Sequence, residues 1–232
     1  MMELKLKEEI FNYNNEEFLK EYFDLLINRL THSNMSVEKD LGNVDSSENA
    51  IRLNDTMKAF KYLLSKMDKE ELSLDLIKTV ANLINSSNPY ISNDYRKMGR
   101  IITGTDILIS APDKIEKDMI SLINCYNNNW KEMENYRKEA LFHLGFIRIH
   151  PYEDGNGRTS RLLLNYNLLR QGLTPVIITD DLTEEYQRLI KDNDYVGLSN
   201  FFKRQAFQEV EVINTLFNDY LKEEKREVHK VK

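Results

Sequence analysis

Residues 150–161 read His-Pro-Tyr-Glu-Asp-Gly-Asn-Gly-Arg-Thr-Ser-Arg, and they hold most of the chemistry this chain can do. Gly155-Asn156-Gly157 leads into the apolar run Leu162-Leu163-Leu164, so its backbone N–H groups stand at a helix start. First-turn amides and the positive end of the helix dipole make an anion site there, and glycines let an anion come close to the backbone. Arg158 and Arg161 lie three residues apart, hence on one face of that turn, and suit two successive phosphates. Asp154 stands just before the glycines, placed to hold Mg²⁺ bridging those phosphates. His150 opens the stretch, and its near-neutral pKa suits a general base for a hydroxyl nucleophile. Pro151 stiffens the approach, and Tyr152 is expected to bury its ring as an anchor. Each residue alone has a plainer reading: a glycine turn, a helix-capping Asp, surface arginines in ion pairs. In this order the set points to a polyphosphate held with a metal beside a base.

The elements that must carry this loop read as mainly helical. Residues 15–31, 48–66 and 72–85 each place apolar side chains on one helical face, with a polar break from Thr31 to Asn49. Residues 98–110 differ: two β-branched runs flank Thr103-Gly104, which predicts a short β-hairpin. One hairpin cannot build its own sheet, so it must lie on the helices or take an added strand. Ala111-Pro112-Asp113 opens a helix through Met119, Leu122 and Cys125; a second runs from about Trp130 to Arg148. The loop then feeds a helix from about Asn156 to Leu169, closed by Gly172, and further helices start at Thr183 and span 198–222. The expected organisation is one compact all-α unit: an N-terminal helical extension over 1–88, a core over 89–205, and a C-terminal helix with a charged tail over 206–232.

Bulk properties narrow the function classes. Only 8 Gly and 4 Pro in 232 residues favour long helices over many short strands. A net charge of −6 gives no general attraction to nucleic acid or acidic membranes. The single Cys125 excludes an internal disulfide and fits a reducing compartment. The N-terminus has no apolar signal core, and nothing approaches the ~18 apolar residues of a membrane span. A cytoplasmic protein without nucleic-acid or membrane partners is expected; a secreted effector using another export route, and a homo-oligomer, stay open. No Gly-x-x-x-x-Gly-Lys-(Ser/Thr) loop is present, which argues against a P-loop NTPase. His143, on a helical pattern, reads as a packed residue.

Residues 150–161 resemble the Fic motif, His-x-Phe-x-(Asp/Glu)-Gly-Asn-Gly-Arg-x-x-Arg, with Tyr152 in place of the Phe. The likeness extends over about 90–205: the 98–110 hairpin resembles the family's flap, and Glu185-Tyr186 resembles a segment lining the adenine pocket. What the resemblance implies is a Fic fold and transfer of AMP from ATP to a Ser, Thr or Tyr hydroxyl of a target protein, releasing pyrophosphate. His150 would be the base and Asp154 the Mg²⁺ ligand. Gly155, Asn156, Gly157, Arg158, Arg161 and Tyr186 would bind the nucleotide. Ile101, Ile102, Thr103, Gly104, Thr105, Asp106 and Ile107 would dock the target by strand addition. The related Doc kinases carry Lys where Gly157 stands, which favours AMP transfer.

Many family members also carry an inhibitory helix, (Ser/Thr)-x-x-x-Glu-(Gly/Asn), whose Glu pairs with the second motif arginine. Glu38 is the expected inhibitory residue, with Ser33 nearby. Ser33 is five positions before it, Asn34 stands at the hydroxyl position, and Lys39 replaces Gly/Asn. Glu48-Asn49 is the second candidate. Two rival functions accompany the resemblance: hydrolytic removal of AMP by the same site, and a catalytically silent nucleotide-binding regulator, which would bind ATP without transferring label.

Overall fold

A computed structural model describes residues 16–37, 46–67, 69–91, 94–100 and 107–230. They form eight α-helices: α1 Glu16–Ser36, α2 Ser46–Lys66, α3 Leu74–Ile84, α4 Ile115–Asn124, α5 Asn135–Ile149, α6 Asn156–Arg170, α7 Thr183–Lys191 and α8 Tyr195–Lys230. The all-α expectation is met, with no strand among the described residues. Residues 101–106, the heart of the expected flap, lie outside them.

The helix that follows the motif loop is the centre of the molecule. Leu162, Leu163 and Leu164 are buried, as is every residue from Arg158 to Leu169, so α6 is enclosed on all sides rather than amphipathic. Each of those leucines contributes about 1.5–3 kcal/mol by leaving water. One side of α6 meets Leu26, Phe60, Leu63, Ile77, Val80 and Phe146. The other side, through Leu164 and Leu168, meets Ala140, Leu144, Leu198, Phe201 and Phe202. Polar residues on so buried a helix need partners. Asn165 exchanges two hydrogen bonds with the Val176 backbone, at 3.0 and 2.6 Å. Asn167 donates to Glu139 at 2.9 Å. Glu139 also accepts from Tyr126 Oη at 2.5 Å and Gln171 at 3.0 Å, and its burial raises its pKa to about 7. Gly172, at φ +69°, closes the helix as expected, with the Leu173 N–H returning to the Leu168 carbonyl.

Three boundaries differ from expectation for local reasons. Thr31–Ser36 continues α1 instead of breaking it. Thr31 Oγ1 bonds the Ile27 carbonyl at 2.6 Å, Asn34 Nδ2 bonds the Leu30 carbonyl at 3.0 Å, and both residues are buried. The polar types that suggest a loop are here turned inward on the helix they extend. The α4 helix passes into a π-turn, Cys125–Asn129, and α5 starts only at Asn135, five residues later than its apolar pattern suggests. Asn127, Asn128 and Asn129 bond sideways to Leu72, Asn124 and Cys125, while the Glu134 carboxylate caps the Tyr136 and Arg137 amides. Finally, α8 is longer than 198–222. Asp194 caps its start at Gly197, and Phe217 and Tyr220 pack against Phe18 of α1 at 5.0 and 5.7 Å between ring centres.

A buried carboxylate fixes α1 to α8. Glu209 accepts from Arg29 at 2.6 Å and from Tyr22 at 3.3 Å. The end of α1 thereby has a defined place beside α6.

Candidate active site

The loop between α5 and α6 is built by two left-handed residues. His150 ends α5 at φ 50°, ψ 59°, its N–H still bonded to the Phe146 carbonyl. Gly155 caps α6 at φ 77°. A Cβ at Gly155 would lie 2.8 Å from Ile84 Cγ2, so only glycine fits both the conformation and the gap. Just after Gly155, Asn156 closes the loop on itself: Oδ1 accepts from the Tyr152 N–H at 2.9 Å and Nδ2 donates to the Tyr152 carbonyl at 2.8 Å. The Tyr152 ring is buried, as expected, and tilts against Tyr95 at 5.7 Å. The Asn156 side chain is thus a loop staple. What it and Gly157 offer an anion is the backbone N–H of a first helical turn, which no carbonyl of α6 can accept.

Asp154 and Arg158 meet at the mouth of this turn. Arg158 Nη2 lies 3.1 Å from Asp154 Oδ2, while Nη1 reaches the Ile84 carbonyl at 3.3 Å and Nη2 the Asn85 Oδ1 at 3.4 Å. Asp154 Oδ1 accepts from the Gly155 N–H at 2.7 Å. Arg52 of α2 stands 3.9 Å from Asp154 Oδ2 and is held by Glu48 at 2.7 Å. Glu48, the second candidate for an inhibitory role, is therefore engaged with Arg52. The Asp154 carboxylate is 37% exposed, and no group of three metal-ligating side chains occurs among the described residues. That donor set fits a Mg²⁺ that one carboxylate would hold together with phosphate oxygens and water, and does not fit a protein-enclosed ion.

Arg161 points from α6 to the end of α1. Its Nε donates to Asn34 Oδ1 at 2.6 Å and its Nη2 to the Asn34 carbonyl at 3.0 Å. Ser33 turns the other way: its hydroxyl donates to the Ile178 carbonyl at 2.7 Å and accepts from the Ile178 N–H at 3.2 Å. The residue facing Arg161 is thus Asn34, one position beyond Ser33. Glu38 lies outside the described residues, as do Ile101, Ile102, Thr103, Gly104, Thr105 and Asp106. Ile107 is described and buried in the second core cluster.

His150 is half-buried, and its Nδ1 makes no hydrogen bond of ordinary geometry. Burial first, then the Arg96 charge, lower its pKa to about 4, so the ring is neutral near pH 7. His143 is fully buried between Ser160 Oγ, 2.8 Å from Nδ1, and Tyr186 Oη, 2.7 Å from Nε2. Burial followed by the Arg161 charge lowers its pKa to about 3. Tyr186, expected at the nucleotide, is itself 3% exposed and anchored on His143.

Sequence reading missed Asn34, Arg52, Asn85 and Arg96. Asn34 carried one usable signal, its place at the hydroxyl position of the inhibitory pattern. The others come from segments far away in the chain, with no spacing to mark them.

Comparison with known proteins agrees with this geometry. Residues 71–168 match the Fic/DOC family. A protein adenylyltransferase Fic of Nematostella vectensis is 30% identical over 62% of this chain and 34% of its own length. A probable protein adenylyltransferase of Aquifex aeolicus is 26% identical over 69% of this chain and 53% of its own. The chain thus spans about a third to a half of these relatives. A solved structure of a Fic domain-containing signalling protein from Bacteroides thetaiotaomicron superposes with a TM-score of 0.81 at 18% identity, covering 92% of this chain and 96% of that one. No described helix is long and apolar enough to cross a membrane. Motif loop, helical fold and family match coincide: residues 71–168 match the Fic/DOC family, and the described chain takes the fold of a Fic domain.

Proposed function

We propose that this chain is a Mg²⁺-dependent protein adenylyltransferase that moves AMP from ATP to a Ser, Thr or Tyr hydroxyl of a target protein and is restrained by its own N-terminal segment. One observation carries the reading: a neutral imidazole at His150 stands at one end of a short loop whose other end is the open first turn of α6, flanked by Asp154, Arg158 and Arg161. The names of the relatives support the same reaction.

The amides of Asn156 and Gly157, with the dipole of α6, bind phosphate oxygens and the charge that builds on the α-phosphate. Arg158 and Arg161 bind the outer phosphates. His150 takes the proton of the attacking hydroxyl as that oxygen bonds to the α-phosphorus and the bond to the β-phosphate oxygen breaks, releasing pyrophosphate. Asp154 would hold Mg²⁺, which would neutralise phosphate charge. By the family resemblance, residues 101–106 would take an extended target segment by strand addition. Restraint is supported by Arg161, already held by Asn34. Glu38 stands four residues beyond Asn34 in the sequence, the spacing of the inhibitory pattern from its hydroxyl position to its carboxylate.

The test is incubation with α-labelled ATP and Mg²⁺, comparing wild type, Glu38→Gly and His150→Ala. Label on wild type, more on Glu38→Gly and none on His150→Ala is expected. ATP binding with no label on any variant would overturn the reading and leave a silent nucleotide binder.

A further inference from the structure

We propose that Arg96 is a positioning residue for this transfer: its guanidinium fixes the His150 peptide and ties both ends of the 98–110 segment to it. The inference rests on the adenylyltransferase reading above. Arg96 is 2% exposed. Its Nε donates to the His150 carbonyl at 2.7 Å, Nη1 to the Met98 carbonyl at 2.9 Å, and Nη2 to the carbonyls of Ser110 and, at 3.4 Å, Ile149. Its backbone N–H donates to the Pro151 carbonyl at 2.9 Å. These acceptors of the guanidinium are all backbone carbonyls, drawn from three separate stretches of chain.

A simple cap on the end of α5 needs less than this. A guanidinium that only answered the last carbonyls of a helix would keep its face in water, because burying it is costly. Here it is buried and forked, and the planar fork satisfies Met98, Ser110 and His150 at once. The His150 peptide it grips is one that a non-glycine residue adopts at a cost, at φ 50°. Ser110 is fixed further by its N–H on the Arg148 carbonyl at 3.0 Å and its hydroxyl on Asp118 at 2.6 Å. The segment that would present a target and the imidazole that would deprotonate it therefore hang on one side chain. Arg96 also lowers the His150 pKa, second to burial, while Arg100 lowers it and Asp154 and the Ile147 carbonyl raise it.

The test uses the full chain with Arg96→Lys and Arg96→Ala. NMR titration of the four histidines, with His150 assigned from His150→Ala, reads the geometry without any turnover. In Arg96→Ala the His150 midpoint should rise from about 4 toward its ordinary value; in Arg96→Lys it should stay closer to wild type. Self-labelling with α-labelled ATP should then show kcat down about a hundred-fold in Arg96→Ala, as for a misplaced base. KM for ATP should be unchanged, since the turn at 155–161 is not touched. Arg96→Lys should recover part of kcat and carries the test where Arg96→Ala does not fold. An unmoved His150 midpoint overturns the proposal, as does a kcat loss matched by KM or by melting temperature. A shifted midpoint with no labelling even in wild type supports the role of Arg96 and sinks the transfer reading instead.

Discussion

Replacing Asn34 by Ala should tighten ATP binding. Arg161 can serve the outer phosphates of a nucleotide only by leaving Asn34, whose Oδ1 accepts from Nε at 2.6 Å and whose carbonyl accepts from Nη2 at 3.0 Å. A hydrogen bond from a charged donor is worth about 1.5–3 kcal/mol, which at about 1.4 kcal/mol per decade is roughly a ten- to hundred-fold change in affinity. The substitution removes only the Oδ1 contact and leaves the carbonyl in place, so the lower end, about tenfold, is expected. Little of α1 should be disturbed, because Asn34 Nδ2 bonds only the Leu30 carbonyl of the preceding turn. The assay is calorimetric titration of Mg²⁺-ATP into the protein in a His150→Ala background, which prevents turnover. Arg161→Ala closes a double-mutant cycle, and Asn34→Ala should have no effect on top of it. Unchanged affinity in Asn34→Ala would show that the contact does not compete with nucleotide. Weaker affinity would show that Asn34 holds Arg161 in its binding position, and would refute the reasoning outright.

Other outcomes follow from the same contacts. Because His150 has its pKa lowered to about 4, self-labelling should stay level from pH 8 to 6 and decline only as pH falls toward that value; a pH–rate inflection at the ordinary histidine value would contradict the burial argument. The folded pKa of Glu139, raised to about 7, lies above its unfolded value, so its protonated form favours the folded chain at pH 5 and that contribution is lost as pH rises toward 7. Between pH 6.5 and 5, wild type should therefore gain about 2 kcal/mol of stability relative to Glu139→Gln, read by urea unfolding, and parallel profiles would refute it. Gly155→Ala, forced to φ +77° against Ile84, should cost about 2 kcal/mol or more; an unchanged urea midpoint would mean the cap is not strained.

The loop from 150 to 161 was legible because its chemistry is local. Helix dipole, glycine turn and i, i+3 arginines all act within twelve residues, and sequence order sets their geometry. Helix types were legible from apolar spacing, and α6 from the leucines that close it into the core. What was not legible depends on which way polar side chains turn. Thr31 and Asn34 have loop-forming compositions, yet both bond the turn behind them and extend α1. Ser33 and Asn34 are adjacent, and a rotation of about 100° per residue sends one to Ile178 and the other to Arg161. No local rule assigns Arg96, because its acceptors are carbonyls, which every residue has.

The three buried guanidiniums around the loop share a physical logic. Arg161 sits on Asn34 in the last turn of α1, Arg158 on Ile84 at the end of α3, and Arg96 on Ile149 and His150 at the end of α5. Each of those helix ends carries roughly half a negative charge. The first turn of α6 adds positive potential of its own, so without an anion its two arginines would repel both it and each other. The Asp154 carboxylate, 3.1 Å from Arg158, and the C-terminal ends of α1 and α3 offset that charge in the nucleotide-free chain. A polyphosphate can do the same more fully, with several formal charges, and so can displace the helix ends from Arg158 and Arg161. Arg96 lies outside this exchange, because its acceptors hold the 98–110 segment and the His150 peptide rather than the anion turn. On the proposed reading, these two arginines would change partners when nucleotide arrives, and the third would keep its partners while they do.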